Sequence, residues 1–166
     1  MTGFGRLAAM LIAVLILAAP ARAADVEILK DAARIARICL DNLPDARAVT
    51  EGFKKAGMRP EGRFGDYYFY SKSGYRIFAG GPGKLMQDRT PECMILVDKM
   101  TVTEAQILML PWVQAIEGGQ IGKPYPERDM VVAFGGKLRG HAAMAAVYQN
   151  LDVYYARGAA ILLTLK

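Results

Sequence analysis

Apolar residues recur at helical spacing between Val26 and Leu43, and this pattern predicts an amphipathic helix. The apolar positions are Ala32, Ile35, Ala36, Cys39, Leu40 and Leu43. Charged side chains such as Lys30 and Arg34 occupy the other side. Pro44 ends the helix, because the residue before a proline avoids the helical conformation. Cys39 therefore points toward the interior of the fold.

A shorter helix is predicted over about residues 46–56. Asp45 is a suitable N-cap, because its carboxylate can accept hydrogen bonds from the first free backbone N–H groups. The apolar stripe of this helix consists of Ala46, Val49, Phe53 and Ala56. Gly57 is a natural stop, since glycine adopts the left-handed conformation at low cost.

Strand-forming residues follow the two helices. Tyr67–Ser71 and Tyr75–Ala79 are rich in aromatic and β-branched residues, and Lys72-Ser73-Gly74 between them predicts a hairpin turn. Gly80-Gly81-Pro82-Gly83 predicts a loop. Glu92–Asp98 has apolar residues on both faces, which is typical of an inner strand that is covered on both sides.

A third helix is predicted over about residues 102–117. It begins at Thr101-Val102-Thr103-Glu104, which matches the capping-box pattern. Its inward positions are Ala105, Leu108, Trp112 and Ile116. Pro111 lies inside this helix and should kink or split it. Gly118-Gly119 should end it.

Three further strands are predicted at 130–134, 141–148 and 159–165, with a turn or bulge at Arg157-Gly158 before the last. The alanines of 141–148 favour a helix, but the segment lies between short glycine-punctuated strands, and we favour a strand. Because strands come in runs, the pattern predicts an α+β fold: a single domain with a largely antiparallel sheet and helices packed on one face. We find no sequence repeat.

The first 23 residues have a different pattern, typical of a secretory signal peptide. Arg6 precedes the uncharged apolar run Leu7–Ala19, and Pro20 and Ala21-Arg22-Ala23 follow it. As a helix this run spans about 20 Å, too short for a hydrocarbon core of roughly 30 Å. We expect cleavage after Ala23 and a periplasmic or secreted chain of residues 24–166, without lipid attachment because no cysteine follows the run.

The composition and net charge limit the kinds of partner that this chain could bind. The sequence is 53% apolar, which excludes intrinsic disorder. The net charge of +5 falls by two, to +3, when Arg6 and Arg22 leave with the signal peptide. A charge this small does not indicate nucleic acid as a partner. No later segment is apolar for long enough to span a membrane, so no stable membrane span is expected after signal removal.

The two cysteines, Cys39 and Cys93, both lie in the expected mature chain. In an oxidising compartment an even pair predicts one disulfide. That bond would fasten the first helix to the strand that carries Cys93. One histidine and two cysteines are too few for common zinc sites. We therefore expect no metal and no cofactor.

Catalytic motifs are weak throughout the chain. The Gly83-Lys84 pair fails the P-loop pattern, which requires glycine where Phe78 stands and a hydroxyl where Leu85 stands. His141 is the only imidazole, and no serine-hydrolase elbow accompanies it. A carboxylate pair, as in a glycosidase, remains open, because sequence alone does not show which acids lie together.

The least ordinary feature is an aromatic cluster in the predicted hairpin. Alternation of strand side chains places Tyr68 and Tyr70 on one face, opposite Tyr67 and Phe69. One face should be core, and the other could expose tyrosines beside basic residues, an arrangement suited to stacking and to polar contacts. The candidate binding surface comprises Tyr67, Tyr68, Tyr70, Tyr75 and Arg76.

These features favour a small exported, non-enzymatic binding or inhibitor-like protein of the cell envelope. Its partner would be an envelope protein or a glycan that contacts the aromatic hairpin. One alternative is an envelope hydrolase that uses a carboxylate pair or His141. Another is weak association with anionic membrane surfaces through a basic stretch, which consists of Lys54, Lys55, Arg59 and Arg63.

Overall fold

Helices pack against one face of an antiparallel β-sheet in this chain. The structure, a computed structural model, describes residues 24–64, 67–82, 91–122 and 129–165. Within these residues the helices are α1 (Val26–Asn42), α2 (Ala46–Lys55) and α3 (Val102–Ala115). The strands are β1 (Arg59–Phe64), β2 (Tyr67–Lys72), β3 (Ile77–Pro82), β4 (Glu92–Val97), β5 (Glu117–Gly122), β6 (Met130–Leu138), β7 (His141–Val153) and β8 (Ala156–Leu165). The predicted α+β fold is confirmed.

The described strands form one sheet in the order β1-β2-β3-β4-β8-β7-β6-β5, and every neighbouring pair is antiparallel. The sheet has two halves of the same plan. In each half a helix precedes a four-stranded meander: α2 precedes β1–β4, and α3 precedes β5–β8. The last strands of the two halves pair with each other, with Met94 opposite Leu162. The sequence shows no repeat, but the architecture contains one.

The helix boundaries follow the local capping signals. The Asp45 carboxylate accepts hydrogen bonds from the backbone N–H groups of Arg47 and Ala48 at the start of α2. At the start of α3, Thr101 and Glu104 form the predicted capping box. The predicted split of α3 at Pro111 is wrong, because the helix continues through it. Proline has no backbone N–H, so the carbonyl group one turn earlier in the helix lacks its usual donor. Pro111 lies on the exposed side, where water can hydrate that carbonyl group.

Long-range ties attach α1 to the rest of the fold. The predicted disulfide between Cys39 of α1 and Cys93 of β4 is present, with 6.0 Å between the Cα atoms. The buried Trp112 indole donates a hydrogen bond of 3.0 Å to the Ala36 carbonyl, which links α3 to α1. Arg139, in the turn between β6 and β7, donates to the Asp41 and Leu43 carbonyls at the C-terminal end of α1.

The two faces of the sheet have different coverings. The helix-facing side belongs to the largest core cluster, with Ile95, Ile161 and Leu163 fully buried. The opposite face carries two smaller clusters, one around Phe78 and Leu96 and one around Ala146, and these contain no residue of the described helices. We call this opposite side the open face.

Two strands were not predicted from the sequence. β1 contains Pro60 and Gly62, which disfavour a strand, but it lies at the sheet edge with a bulge between these residues. β5 contains Gly119, where an added Cβ would lie 2.1 Å from the Phe134 ring. Glycine therefore lets this strand pass over that ring without displacing it. The helix ends before Gly118-Gly119, as predicted, and the two glycines then belong to β5, which the sequence did not predict.

The glycine cluster at the end of β3 is also a correction. Residues 80–82 continue the strand and pair with β2, whereas the sequence predicts a loop there. An added Cβ at Gly81 would lie 3.3 Å from the Phe53 ring of α2, so glycine allows the helix to pack closely on this strand. Gly83 lies outside the described residues. At 141–148 the predicted strand is confirmed as part of β7.

Candidate binding surface

The structure separates the tyrosines that the sequence groups on the β2–β3 hairpin. Tyr70 is only 6% exposed, and its ring meets Phe53 edge to face at 5.4 Å in the helix-side core. Tyr68 is half-buried and packs against the same core. Tyr68 and Tyr70 therefore lie on the core face of the hairpin, which α2 covers, and they do not form an exposed ladder. The Tyr67 side chain lies outside what the structure describes.

Basic residues near this hairpin are also partly buried. Lys72 forms an ion pair of 3.1 Å with Asp31 of α1, and both side chains are largely buried. Arg76 is half-buried, and its carbonyl accepts a hydrogen bond from the Asp98 backbone. Of the predicted surface residues with described side chains, Tyr75 is the one that is exposed, at 45%.

The long β7–β8 hairpin supplies the other exposed aromatic rings. The pairing of β7 with β8 is interrupted between Tyr148 and Leu151, where Asn150 has a positive φ of 55°. A bulge of this kind bends a hairpin. Beyond it, Leu151 and Val153 pack against the open-face cluster around Phe78, so the hairpin tip covers part of the first half of the sheet.

Tyr154 at this tip is packed on two phenylalanines of the first half. Its ring stacks on Phe78 at 5.8 Å with an interplanar angle of 14°. It meets Phe69 at 6.1 Å in an edge-to-face contact. Phe69 and Phe78 are buried, whereas Tyr154 remains 51% exposed. The phenylalanines therefore form a buried floor below a half-exposed tyrosine.

Tyr75 and Tyr155 complete the exposed group. Their rings meet edge to face at 5.4 Å, although one comes from the β2–β3 turn and the other from the β7–β8 turn. Tyr155 is 77% exposed. We define the tyrosine patch as Tyr75, Tyr154 and Tyr155. The sequence indicates only the first of these, because it places the last turn at Arg157-Gly158 rather than at Tyr154-Tyr155.

Two of the patch residues have unfavourable backbone conformations. Tyr75 has φ of 66° and Tyr154 has φ of 54°, in the left-handed region that bulky residues rarely adopt. Two-residue hairpin turns normally use Asn-Gly, Asp-Gly or Gly-X, yet Tyr154-Tyr155 links Val153 to Ala156. Such strain is concentrated at functional sites. The turns therefore present aromatic rings at a cost in backbone energy.

One basic residue next to the tyrosine patch is paired with acidic residues. Arg157, close to the β7–β8 turn, donates from Nε to the Asp152 carboxylate at 3.0 Å. Its backbone N–H donates to the Asp98 carboxylate at 3.3 Å. The patch consequently combines aromatic area and hydroxyl groups with an arginine that already has an acidic partner.

His141, the one imidazole, does not lie near the buried serine Ser71. Ser71 is buried, and its hydroxyl donates to the Glu61 carboxylate of β1. His141 is exposed at the first position of β7. Across the sheet Ser71 aligns with Tyr148, so His141 lies more than about 20 Å away along β7. Among the described residues no group of three or more His, Cys, Asp or Glu side chains could hold a metal ion.

A groove of about 360 Å³ lies between α1 and α3. Its walls are mostly apolar, with exposed Val26 and Ile107 at the rim. Glu104 is the one carboxylate among its described lining residues, so the groove does not contain the acid pair of a glycosidase.

The basic stretch covers the end of α2 and the edge strand β1. Lys54 forms an ion pair of 3.0 Å with Glu51, and this contact lowers the pKa of the Glu51 carboxyl. Lys55 and Arg59 are exposed. The stretch is therefore neutralised in part by Glu51, the one acidic residue of this helix.

None of the helices in the described part of the chain is long and apolar enough to cross a membrane.

Comparison with known proteins adds no relative. No protein-family model, curated protein or solved structure matches this chain.

Proposed function

We propose that this protein is an exported, non-enzymatic binding protein of the cell envelope that holds a protein partner through the tyrosine patch. The observation that carries the proposal is the convergence of Tyr75, Tyr154 and Tyr155 from two strained turns onto a buried phenylalanine floor. Rigid, partly exposed aromatic side chains with polar tips are the residues that dominate binding energy in protein interfaces.

The arrangement of the rings favours a protein over a glycan. A sugar stacks on the broad face of an aromatic ring, but one face of Tyr154 already lies against Phe78. Tyr75 and Tyr155 meet edge to face, so their planes differ by 65° and provide no common flat platform. Three hydroxyl groups pointing from non-coplanar rings suit the irregular surface of a folded partner.

The exposed area of the tyrosine patch is smaller than the area of a stable interface. From the exposed fractions, the three side chains offer roughly 350 Å². A stable interface buries about 800 Å² on each partner. The tyrosine patch therefore acts as the energetic centre, and the partner must also contact surrounding residues such as half-buried Leu151 and Val153 on the open face.

Export is supported by the N-terminal sequence and by the disulfide. The run Leu7–Ala19 and the Ala21-Arg22-Ala23 signal have the layout of a cleaved leader. A disulfide persists in oxidising compartments and is rare where thiols are kept reduced. Mass spectrometry of the protein recovered from the envelope should show Ala24 as the first residue, and an intact leader would overturn this part of the proposal.

The binding proposal is tested with a tyrosine-patch variant and a matched control. The Y75A/Y155A double variant removes two exposed rings, and I121A removes an exposed side chain (80%) from β5 at the far edge of the sheet. Chains 24–166 of each serve as bait for envelope proteins and for envelope glycans, and the captured molecule is purified for calorimetry.

We expect a protein that binds the wild type and I121A equally and Y75A/Y155A at least 100-fold more weakly, as for loss of two interface tyrosines. Equal binding by all three chains would show that the patch is not the site. Retention of a glycan that depends on these tyrosines would show that the partner class is wrong.

A further inference from the structure

The backbone nitrogen of Ala24 lies in an unusual position for a residue at the start of a domain. Ala24 is only 6% exposed. Its backbone N–H donates a hydrogen bond of 3.5 Å to the Glu104 carboxylate, which belongs to a helix 80 residues further along the chain. Ala24 is also the residue that follows the Ala21-Arg22-Ala23 cleavage signal.

Hydrogen bonds from Thr101 hold the Glu104 carboxylate in place independently of Ala24. The same oxygen, Oε2, accepts hydrogen bonds from the Thr101 backbone at 2.8 Å and from the Thr101 hydroxyl at 2.9 Å. The capping box therefore fixes this carboxylate at the N-terminus of α3. It presents a negatively charged oxygen to the Ala24 nitrogen.

We propose that removal of the leader creates a second tie between α1 and α3: an ion pair between the α-ammonium group of Ala24 and the carboxylate of Glu104. A processing peptidase of exported proteins hydrolyses the Ala23–Ala24 peptide bond. Water supplies the hydroxyl of the new Ala23 carboxyl group, and the nitrogen of Ala24 becomes an amine that is protonated at neutral pH.

This reaction adds a positive charge on the donor side of a hydrogen bond whose acceptor is already a carboxylate. The N–H group of an amide is replaced by an ammonium group facing the same oxygen, so the Coulomb attraction of two opposite charges is added to the hydrogen bond. Ala24 immediately precedes α1, and Glu104 lies in the first turn of α3. The processed chain is therefore more tightly closed at this end of the helix layer than the precursor.

The inference rests on the export proposed above, but its test uses recombinant chains whose N-termini are defined in vitro. One chain begins at Ala24, and the other carries two glycines before Ala24, which move the ammonium by about 7 Å. Each is made with Glu104, with E104Q and with E27Q. Glu27 is a matched control, because its exposed carboxylate is near the N-terminus but pairs with Lys30.

Thermal unfolding of the six chains should show a coupling between the free N-terminus and Glu104. We expect E104Q to lower Tm by at least about 4 °C more in the Ala24-first chain than in the extended chain. E27Q should lower it equally in both. An equal effect of E104Q in the two chains would overturn the ion pair. It would not affect the export proposal, which is tested separately by mass spectrometry of the N-terminus.

A second measurement covers the case in which E104Q does not fold. Acylation of the α-amine at pH 8, followed by mass spectrometry, requires a free and unprotonated amine. The amine of the Ala24-first chain should react several-fold more slowly than that of the glycine-extended chain. Equal rates would contradict the ion pair.

Discussion

Tyr154 offers a direct test of the backbone strain at the tyrosine patch. Its ring is about half-buried against Phe69 and Phe78. Removal of roughly 100 Å² of buried aromatic area at 25 cal/mol per Å² costs about 2.5 kcal/mol. Y154A should therefore lower the free energy of unfolding by about that amount, since alanine also has a Cβ and keeps the left-handed strain at φ of 54°.

Y154G loses the same ring but relieves the strain. The left-handed conformation costs a residue with a Cβ about 1–2 kcal/mol more than glycine. The greater freedom of glycine in the unfolded chain returns about 0.5–1 kcal/mol of that difference. Y154G should consequently be more stable than Y154A by about 0.5–1 kcal/mol. This order is the reverse of the usual preference for alanine.

Position 155 provides the internal control. Tyr155 is not among the residues with positive φ, and it is largely exposed. Y155A should stay within about 0.5 kcal/mol of the wild type, with Y155G below Y155A. Urea unfolding can be followed through the fluorescence of Trp112, the only tryptophan of the chain, which is fully buried. If Y154G is no more stable than Y154A, the argument from strain is refuted.

Three further changes test how the rest of the fold is held together. Replacement of both Cys39 and Cys93 by alanine should cost about 3–4 kcal/mol, and a reductant should lower the Tm of the wild type but not that of the variant. G158A should lower the free energy of unfolding in urea by about 2 kcal/mol or more, because the alanine Cβ would lie 2.6 Å from the Val97 carbonyl oxygen. A fully stable G158A would contradict this close approach. R139A should cost about 1 kcal/mol and increase amide exchange at the end of α1, and unchanged exchange would show that its two hydrogen bonds contribute nothing.

Features set by neighbouring residues were predictable from the sequence. The caps at Asp45 and Thr101 act within three residues, and both helix starts follow from them. The disulfide followed from the count of two cysteines and from the inward position of Cys39 on its helix. The burial of β4 on both faces followed from its unbroken apolar run.

Features set by distant contacts were not predictable. Gly119 and Gly81 are recognised as strand residues only when the Phe134 and Phe53 rings that pass over them are known. Only one of the three residues of the tyrosine patch was predicted, for the same reason. Tyr75 stood out in an aromatic-rich segment, whereas Tyr154-Tyr155 lacks the glycine or asparagine that marks a tight turn.

The pairing of β4 with β8 makes completion of the first half of the sheet depend on the last residues of the chain. Until Ala156–Leu165 is available, the apolar strand Glu92–Val97 has an unpaired edge, which is a template for association with other chains. The chain therefore gains by remaining unfolded until β8 has been synthesised. A product truncated before β8 should accumulate as aggregate rather than as a smaller stable domain.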